Sequence, residues 1–102
     1  MALKTRPFDA AEYLEDDEAI TEYLEEAMKI AQEDGNPSFL AVALGTVARA
    51  RGMSQIAKDA GLSRESLYQA LGAEGNPEFG TILKVLQALG LKLSIQSEGA
   101  AA

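Results

Sequence analysis

A short stretch near the middle of the chain carries side chains that could form hydrogen bonds with the base edges of DNA. Arginine suits guanine, glutamine suits adenine, and glutamate accepts from the amino group of cytosine. These residue types are Arg64, Gln69 and Glu65. Hydroxyl groups that could touch either bases or phosphates belong to Ser63 and Ser66, and Tyr68 could touch the DNA backbone or pack within the protein. The sequence therefore predicts a DNA-reading surface over residues 63–69.

A second set of residues, just upstream, could contact phosphates. Gln55 is expected at the start of the preceding helix, where free backbone N–H groups favour an anion. Lys58 and Arg51 add positive charge on either side of it. Such contacts position a protein on DNA without reading its sequence.

These side chains need two short helices joined by a tight turn. Ser54 is placed to cap the first helix, and Gly61 permits the left-handed turn that follows. Ser63 is then the expected cap of the second helix, whose inner face carries Leu67. This pattern predicts a helix-turn-helix over residues 53–71, with the second helix as the recognition helix.

Apolar spacing and start and stop signals predict further helices around this unit. An acidic helix is expected over residues 16–33 and a core helix over residues 36–51. The Asn-Pro pair that opens the core helix recurs as Asn76-Pro77, which predicts a last helix ending at Gly90. The apolar stripe of that last helix is predicted to be Phe79, Ile82, Leu83, Leu86 and Leu89.

Residues 91–96 alternate between apolar and polar side chains, which is typical of a strand with one buried face. A lone strand is not stable, so it needs an edge from a second copy of the chain or from a partner. Pairing between two copies is the hypothesis that we favour from the sequence. The expected fold class is therefore all-α with one short C-terminal β-strand.

The predicted helices and strand divide the chain into three regions. Residues 1–36 form an acidic N-terminal helical extension, which includes a short helix over residues 9–14. Residues 37–96 form the helix-turn-helix domain with its strand, and residues 97–102 form a flexible tail.

Charge divides the chain at the same place. The net charge is −7, which is unusual for a DNA-binding protein. Residues 1–36 hold three basic and eleven acidic residues, a net charge of −8, whereas residues 37–102 hold six basic and five acidic residues, a net charge of +1. The two regions are expected to meet different partners.

The composition also restricts the chemistry. The 102 residues contain neither cysteine nor histidine, which removes disulfides, thiolate and imidazole metal sites, and histidine-based acid–base catalysis. We therefore expect no enzyme, no cofactor and no metal site. No apolar run is long enough to span a membrane, and a cytoplasmic location is expected.

At these residues the sequence resembles the repressor-like helix-turn-helix superfamily of phage repressors. The resemblance covers about residues 37–91. Its matching positions are Gln55, Ala57, Gly61-Leu62, Ser63 and Asn76-Pro77. The first helix of the motif is expected to be short, because Met53-Ser54-Gln55 runs into Ile56-Ala57 without the extra residues usual in the superfamily.

A narrower resemblance extends over nearly the whole chain, to addiction-module antidote proteins of the HigA-like type. It rests on residues 8–14, 48–57, 61–68 and 75–77. The resemblance implies two activities, which are repression of the protein's own operon and neutralisation of a small basic toxin of the RelE/HigB type. Charge and position indicate the residues expected to contact that toxin, namely Tyr13, Asp16, Asp17 and Tyr23.

Alternatives stay open at this point. The acids of residues 9–34 could be ordinary solvated helix faces, in which case the chain would be a phage-type transcriptional regulator without a toxin. It could also be an interaction module whose helix-turn-helix no longer meets DNA. A DNA-binding form is expected to be a homodimer, because one recognition helix reads only half of a two-fold operator.

Overall fold

A computed structural model describes residues 16–98 of the chain. This part contains five α-helices and no strand. The helices are α1 (Asp17–Asp34), α2 (Pro37–Arg51), α3 (Met53–Ala60), α4 (Arg64–Ala70) and α5 (Phe79–Ala88). The all-helical class is confirmed for these residues, whereas the short helix predicted over residues 9–14 lies outside them.

Helix α1 begins and ends where its sequence signals predict. The Asp16 side chain accepts a hydrogen bond from the Ala19 N–H at 2.8 Å, which caps the helix. Gly35 ends it in a left-handed conformation with φ of 64°. Its buried residues recur at helical spacing and are Ile20, Leu24, Ala27 and Ala31.

Helix α2 is the central helix of the fold. Asn36 caps it by accepting from the Ser38 N–H at 3.2 Å, and Pro37 occupies its first turn. The helix packs against both α1 and α3. Its buried residues cover most of its circumference and are Ala41, Ala43, Leu44, Gly45, Thr46, Val47 and Ala48. Small residues in this set let the neighbouring helices approach closely.

The predicted start of the last helix is wrong. Asn76 and Pro77 lie outside it, and α5 begins at Phe79 with Glu78 as its N-cap residue. The first helical bond of this turn runs from the Ile82 N–H to the Glu78 carbonyl at 3.1 Å. An Asn-Pro pair is a local signal that is compatible with a cap but does not require one, because the residue before proline also favours extended backbone.

The predicted apolar stripe of α5 is only partly right. Leu86 is buried, but Phe79 is 64% exposed and Leu83 is 38% exposed. The most buried residue of the helix is Val85, which the stripe omitted. Because α5 is apolar on more than one face, periodicity alone allowed more than one rotation about the helix axis. Packing against α3 selects the one observed.

The predicted C-terminal strand is absent from the described chain. The Leu91 N–H still donates to the Leu86 carbonyl at 2.9 Å, but residues 92–98 form no backbone–backbone hydrogen bond within residues 16–98. A strand needs a neighbouring strand to hold its backbone, and no other strand exists in this part of the molecule. The alternating pattern was therefore insufficient to specify a strand in the single chain.

One hydrophobic core joins all five helices. Its largest fully buried side chains are Leu44, Val47, Leu67 and Val85. Helix α1 contributes Ile20, Leu24 and Ala27 to the same core. The acidic region therefore packs on the rest of the protein, while the domain boundary proposed at residue 36 stays a prediction. Within residues 16–98, no helix is long and apolar enough to cross a membrane.

Candidate nucleic-acid interface

A three-residue turn, residues 61–63, joins α3 to α4. Gly61 has φ of 75°, which residues with a side chain rarely adopt. The Gly61 N–H donates to the Lys58 carbonyl at 3.1 Å and the Leu62 N–H donates to the Ala57 carbonyl at 2.8 Å. This bonding pattern ends α3 abruptly, and Leu62 then packs against the core. The turn therefore sets the direction of α4 relative to α3.

Ser63 caps α4, as the sequence predicts. Its side-chain oxygen accepts from the Ser66 N–H at 3.0 Å. Leu67 is fully buried and anchors the inner side of the helix, and Leu71 is buried just after it. These contacts hold α4 on the core with the rest of its side chains in solvent.

The predicted reading residues share that exposed side. Ser63, Arg64, Glu65, Ser66 and Gln69 are exposed, and Tyr68 is 56% exposed. A shallow hollow on α4 is lined by four of them, Arg64, Glu65, Tyr68 and Gln69. One cation, one anion, an amide and a phenol are thus presented together, a set that can both donate to and accept from a polar partner.

The start of α3 differs from the prediction. Gly52 is the N-cap residue, and no side chain caps the helix. Ser54 lies inside the helix, so its predicted capping role is wrong. Gly52 has φ of 111°, a conformation that favours glycine, and it is the single residue between the end of α2 and the start of α3 at Met53. The helix has 8 residues and is short, as the departure from the superfamily pattern predicts.

Gln55 lies apart from the hollow on α4. Its side-chain amide donates to Asp59 Oδ1 at 2.9 Å, one turn along the same helix. The Gln55 side chain is exposed, but it is occupied by a carboxylate, which would oppose a phosphate at the same place. The structure therefore does not bring Gln55 together with the residues of α4.

The two basic residues near α3 have different surroundings. Lys58 is exposed on α3. Arg51 forms an ion pair with Asp17 of α1 and is 38% exposed. Arg51, an expected phosphate contact, is thus paired with Asp17, an expected toxin contact.

Arg49 is a residue that the sequence reading did not select. It lines a second hollow, together with Val42 and Tyr68, whereas Arg64 lines the first. Tyr68 borders both hollows, so Arg49 adds a cation beside the exposed side of α4. The sequence could place Arg49 in the last turn of α2. Its nearness to α4, however, depends on how the helices pack.

The residues expected to contact a toxin are not gathered in one cavity. Asp16 caps α1, and Asp17 pairs with Arg51. Tyr23 is partly buried against the core, which leaves part of its surface accessible. Tyr13 lies outside the described residues. The structure therefore places the two carboxylates at the start of α1 and Tyr23 further along the same helix.

Within residues 16–98, no group of three or more acidic residues could hold a metal ion. Every buried side-chain nitrogen or oxygen there has a hydrogen-bond partner. The candidate interface is therefore a polar surface, not an enclosed polar pocket.

Fold and surface together define a small all-helical protein that presents polar side chains on one short helix. Over residues 4–97 the chain matches the family described as "Probable addiction module antidote protein", and it belongs to that family. The family supports an antitoxin role and implies a toxin partner.

A curated relative extends this match to a whole protein. A Haemophilus influenzae protein, described only as uncharacterized, is 51% identical over 96 residues, which cover 94% of this chain and 95% of the relative. No solved structure matches the chain. The antidote family is thus identified, whereas the relative's description adds no activity.

Proposed function

We propose that this protein is the antitoxin of a type II toxin–antitoxin module. In this proposal it neutralises a small basic toxin of the RelE/HigB type in the cytoplasm and represses its own operon by binding operator DNA. It acts as a binding protein and not as an enzyme. Residues 53–71 serve as the helix-turn-helix, and α4 is the recognition helix.

One observation supports the DNA-binding half most directly. Helix α4 leaves the 61–63 turn with Leu67 buried and with Arg64, Glu65 and Gln69 exposed side by side. A recognition helix must have this division between an anchored side and a side that reaches base edges. We assign base contacts to these three exposed residues, and contacts with bases or backbone to Ser63, Ser66 and Tyr68.

Charge supports the toxin half. A toxin that cleaves RNA needs a positive surface, and residues 1–36 carry a net charge of −8. Complementary charge accelerates association and disfavours wrong partners. Family membership independently implies a toxin.

A homodimer is part of the proposal, because a two-fold operator presents two half-sites about one helical turn apart, roughly 34 Å. Phe79 and Leu83 lie one turn apart on α5 and are both exposed, which makes them the candidate dimer surface. Linking two recognition helices in this way raises affinity for the complete operator.

A second function, a phage-type transcriptional regulator without a toxin, is favoured by one observation. Helix α1 contributes Ile20, Leu24 and Ala27 to the common core, as expected if the acidic region only completes the fold. In this alternative the exposed acids are ordinary solvated helix faces.

Co-expression with the neighbouring reading frame separates the two functions. The antitoxin proposal predicts that a small basic protein copurifies with this chain and that its growth arrest is relieved. A mobility-shift assay on the chain's own promoter tests the other activity. Copurification of the basic protein without a mobility shift would indicate an interaction module that does not bind DNA. A mobility shift without copurification would indicate the transcriptional regulator without a toxin.

A further inference from the structure

An apolar groove of about 320 Å³ separates α1 from the segment that follows α5. Its apolar lining includes Leu24, Met28, Leu40, Leu86, Leu91 and Leu93. Thr21 and Glu25 of α1 form one wall, and Lys92, Ser94 and Gln96 lie on the opposite wall. We call this feature the α1 groove. It lies apart from the exposed side of α4, since the two share no lining residue.

The backbone of the segment along the groove is not paired with any other described residue. Within residues 16–98, residues 92–98 form no hydrogen bond with another backbone group. Leu93 is 39% exposed and Ile95 is 97% exposed, so the apolar side chains of this segment are also incompletely covered. A segment with free N–H and C=O groups and uncovered apolar side chains can accept an added strand.

Three carboxylates of α1 lie in or beside the groove. Glu25 lines the groove, and Glu18 and Glu22 stand on the same stripe of the helix at spacings of three and four residues. All three are exposed. Lys92 supplies one positive charge on the opposite wall. One carboxylate therefore lines the α1 side and two more border it, against one lysine on the opposite side.

We propose that the α1 groove binds an extended, basic segment of the toxin, an inference that rests on the proposed antitoxin function. Apolar side chains of that segment pack on Met28, Leu40 and Leu93. Its lysine or arginine side chains face Glu22 and Glu25, and its backbone pairs with residues 92–96. The period-two pattern of residues 91–96 thus describes a strand that forms on complex formation.

Charge decides between the toxin and a second copy as occupant. A second copy carries the same net charge of −7 and the same acidic stripe. A two-fold interface on this face would bring together two chains of the same net charge, and the single Lys92 of each groove would offset only one carboxylate of the other copy. A basic segment meets these carboxylates with the opposite charge. Homodimerisation is assigned accordingly to Phe79 and Leu83 of α5.

The first test measures affinity for the purified protein encoded by the neighbouring reading frame, using the full-length chain. The double substitution Glu22→Lys with Glu25→Lys is expected to weaken binding by at least about tenfold, because opposed charges are replaced by like charges. The matched control, Asp34→Lys with Glu74→Lys, makes the same charge change at exposed acids that neither line the groove nor share the stripe of Glu22 and Glu25. The control is expected to stay within about threefold of wild type.

The second test addresses the backbone. Proline lacks an N–H, and neighbouring residues of a strand bond on opposite edges, so Ser94→Pro and Ile95→Pro are compared with Ser94→Ala. At least one proline variant is expected to lose toxin affinity by about tenfold or more, with Ser94→Ala near wild type. Operator binding by each variant verifies folding.

The outcomes separate the two proposals. If the wild-type chain does not bind the neighbouring protein, the antitoxin proposal fails and this inference fails with it. If wild type binds while all groove variants retain its affinity, or while both lysine pairs weaken binding equally, only the groove assignment is overturned. Dissociation of the homodimer by the proline variants would identify a second copy as the occupant and would also overturn it.

Discussion

Arg51, the last residue of α2, forms an ion pair with Asp17, the first residue of α1. The pair connects the acidic helix to the helix that precedes the proposed DNA-binding unit. Asp17 is 87% exposed, so solvent screens the interaction and its contribution to stability is at most about 1 kcal/mol. Its larger consequence is that the Arg51 guanidinium already contacts a carboxylate, which a DNA phosphate would have to replace.

Asp17→Asn is expected to strengthen DNA binding slightly at low salt. If Arg51 contacts a phosphate, removal of its carboxylate partner frees the guanidinium for that contact. Arg51→Ala is then expected to reduce the slope of log K against log salt concentration by about one. Fluorescence anisotropy on operator DNA over a salt series measures both effects. Equal salt slopes for wild type and Arg51→Ala would show that Arg51 is only a structural residue.

Arg64→Ala is expected to reduce operator affinity by about 1–3 kcal/mol and to relax specificity at one base position. The reason is the exposed location of Arg64 beside Glu65, Tyr68 and Gln69 on α4. Lys84→Ala removes one positive charge from α5 and serves as the control. An equal loss on random DNA would identify Arg64 as a phosphate contact.

Ser63 has both a structural and a proposed DNA-binding role, and two substitutions separate them. Ser63→Ala removes the hydrogen bond to the Ser66 N–H and is expected to cost about 1 kcal/mol of unfolding free energy. Ser63→Asp can still cap α4, but its charge opposes phosphates, so operator affinity should fall by about tenfold while stability is retained. Thermal unfolding and a mobility-shift assay measure the two. Unchanged operator affinity in Ser63→Asp would limit Ser63 to capping.

Gly45→Ala is expected to destabilise the protein. A Cβ at Gly45 would lie 2.7 Å from the Leu71 carbonyl oxygen, which is too close, so α2 and the end of α4 would have to separate. The expected loss is about 1–3 kcal/mol despite the better helix propensity of alanine.

Gly80→Ala is the matched control for Gly45→Ala. A Cβ at Gly80 meets no atom within 4 Å, and the residue lies in α5, so stability should be unchanged or rise by up to about 1 kcal/mol. Denaturant unfolding measures both variants. Equal stability of the two would contradict the close approach between Gly45 and Leu71.

Leu83→Glu is expected to dissociate the homodimer, because it places a charge in the centre of the proposed α5 surface. Light scattering should then give the mass of one chain, and operator affinity should fall because the two recognition helices are no longer linked. Lys84→Glu, at a neighbouring exposed position about 100° around the helix, is the control. A dimer that persists in Leu83→Glu would place the interface elsewhere.

The sequence by itself determined the elements whose signals are local. Asp16, Asn36 and Ser63 cap helices through their own side chains, and Gly35 and Gly61 end helices through left-handed backbone. Such interactions involve residues a few positions apart, so they can be read along the chain. The same locality made the exposed set on α4 predictable, because Leu67 fixes which side of a short helix turns inward.

Only the tertiary structure decided features that depend on distant residues. The rotation of α5 follows from packing on α3, and the nearness of Arg49 to Tyr68 follows from packing of α2 beside α4. Residues 91–96 have the alternation of a strand but no neighbouring strand in the described chain, and residues 92–96 form no backbone–backbone hydrogen bond within residues 16–98. The alternation of apolar and polar residues determines which side chains of a segment can be buried. The surface that buries them is supplied by the rest of the fold or by another molecule.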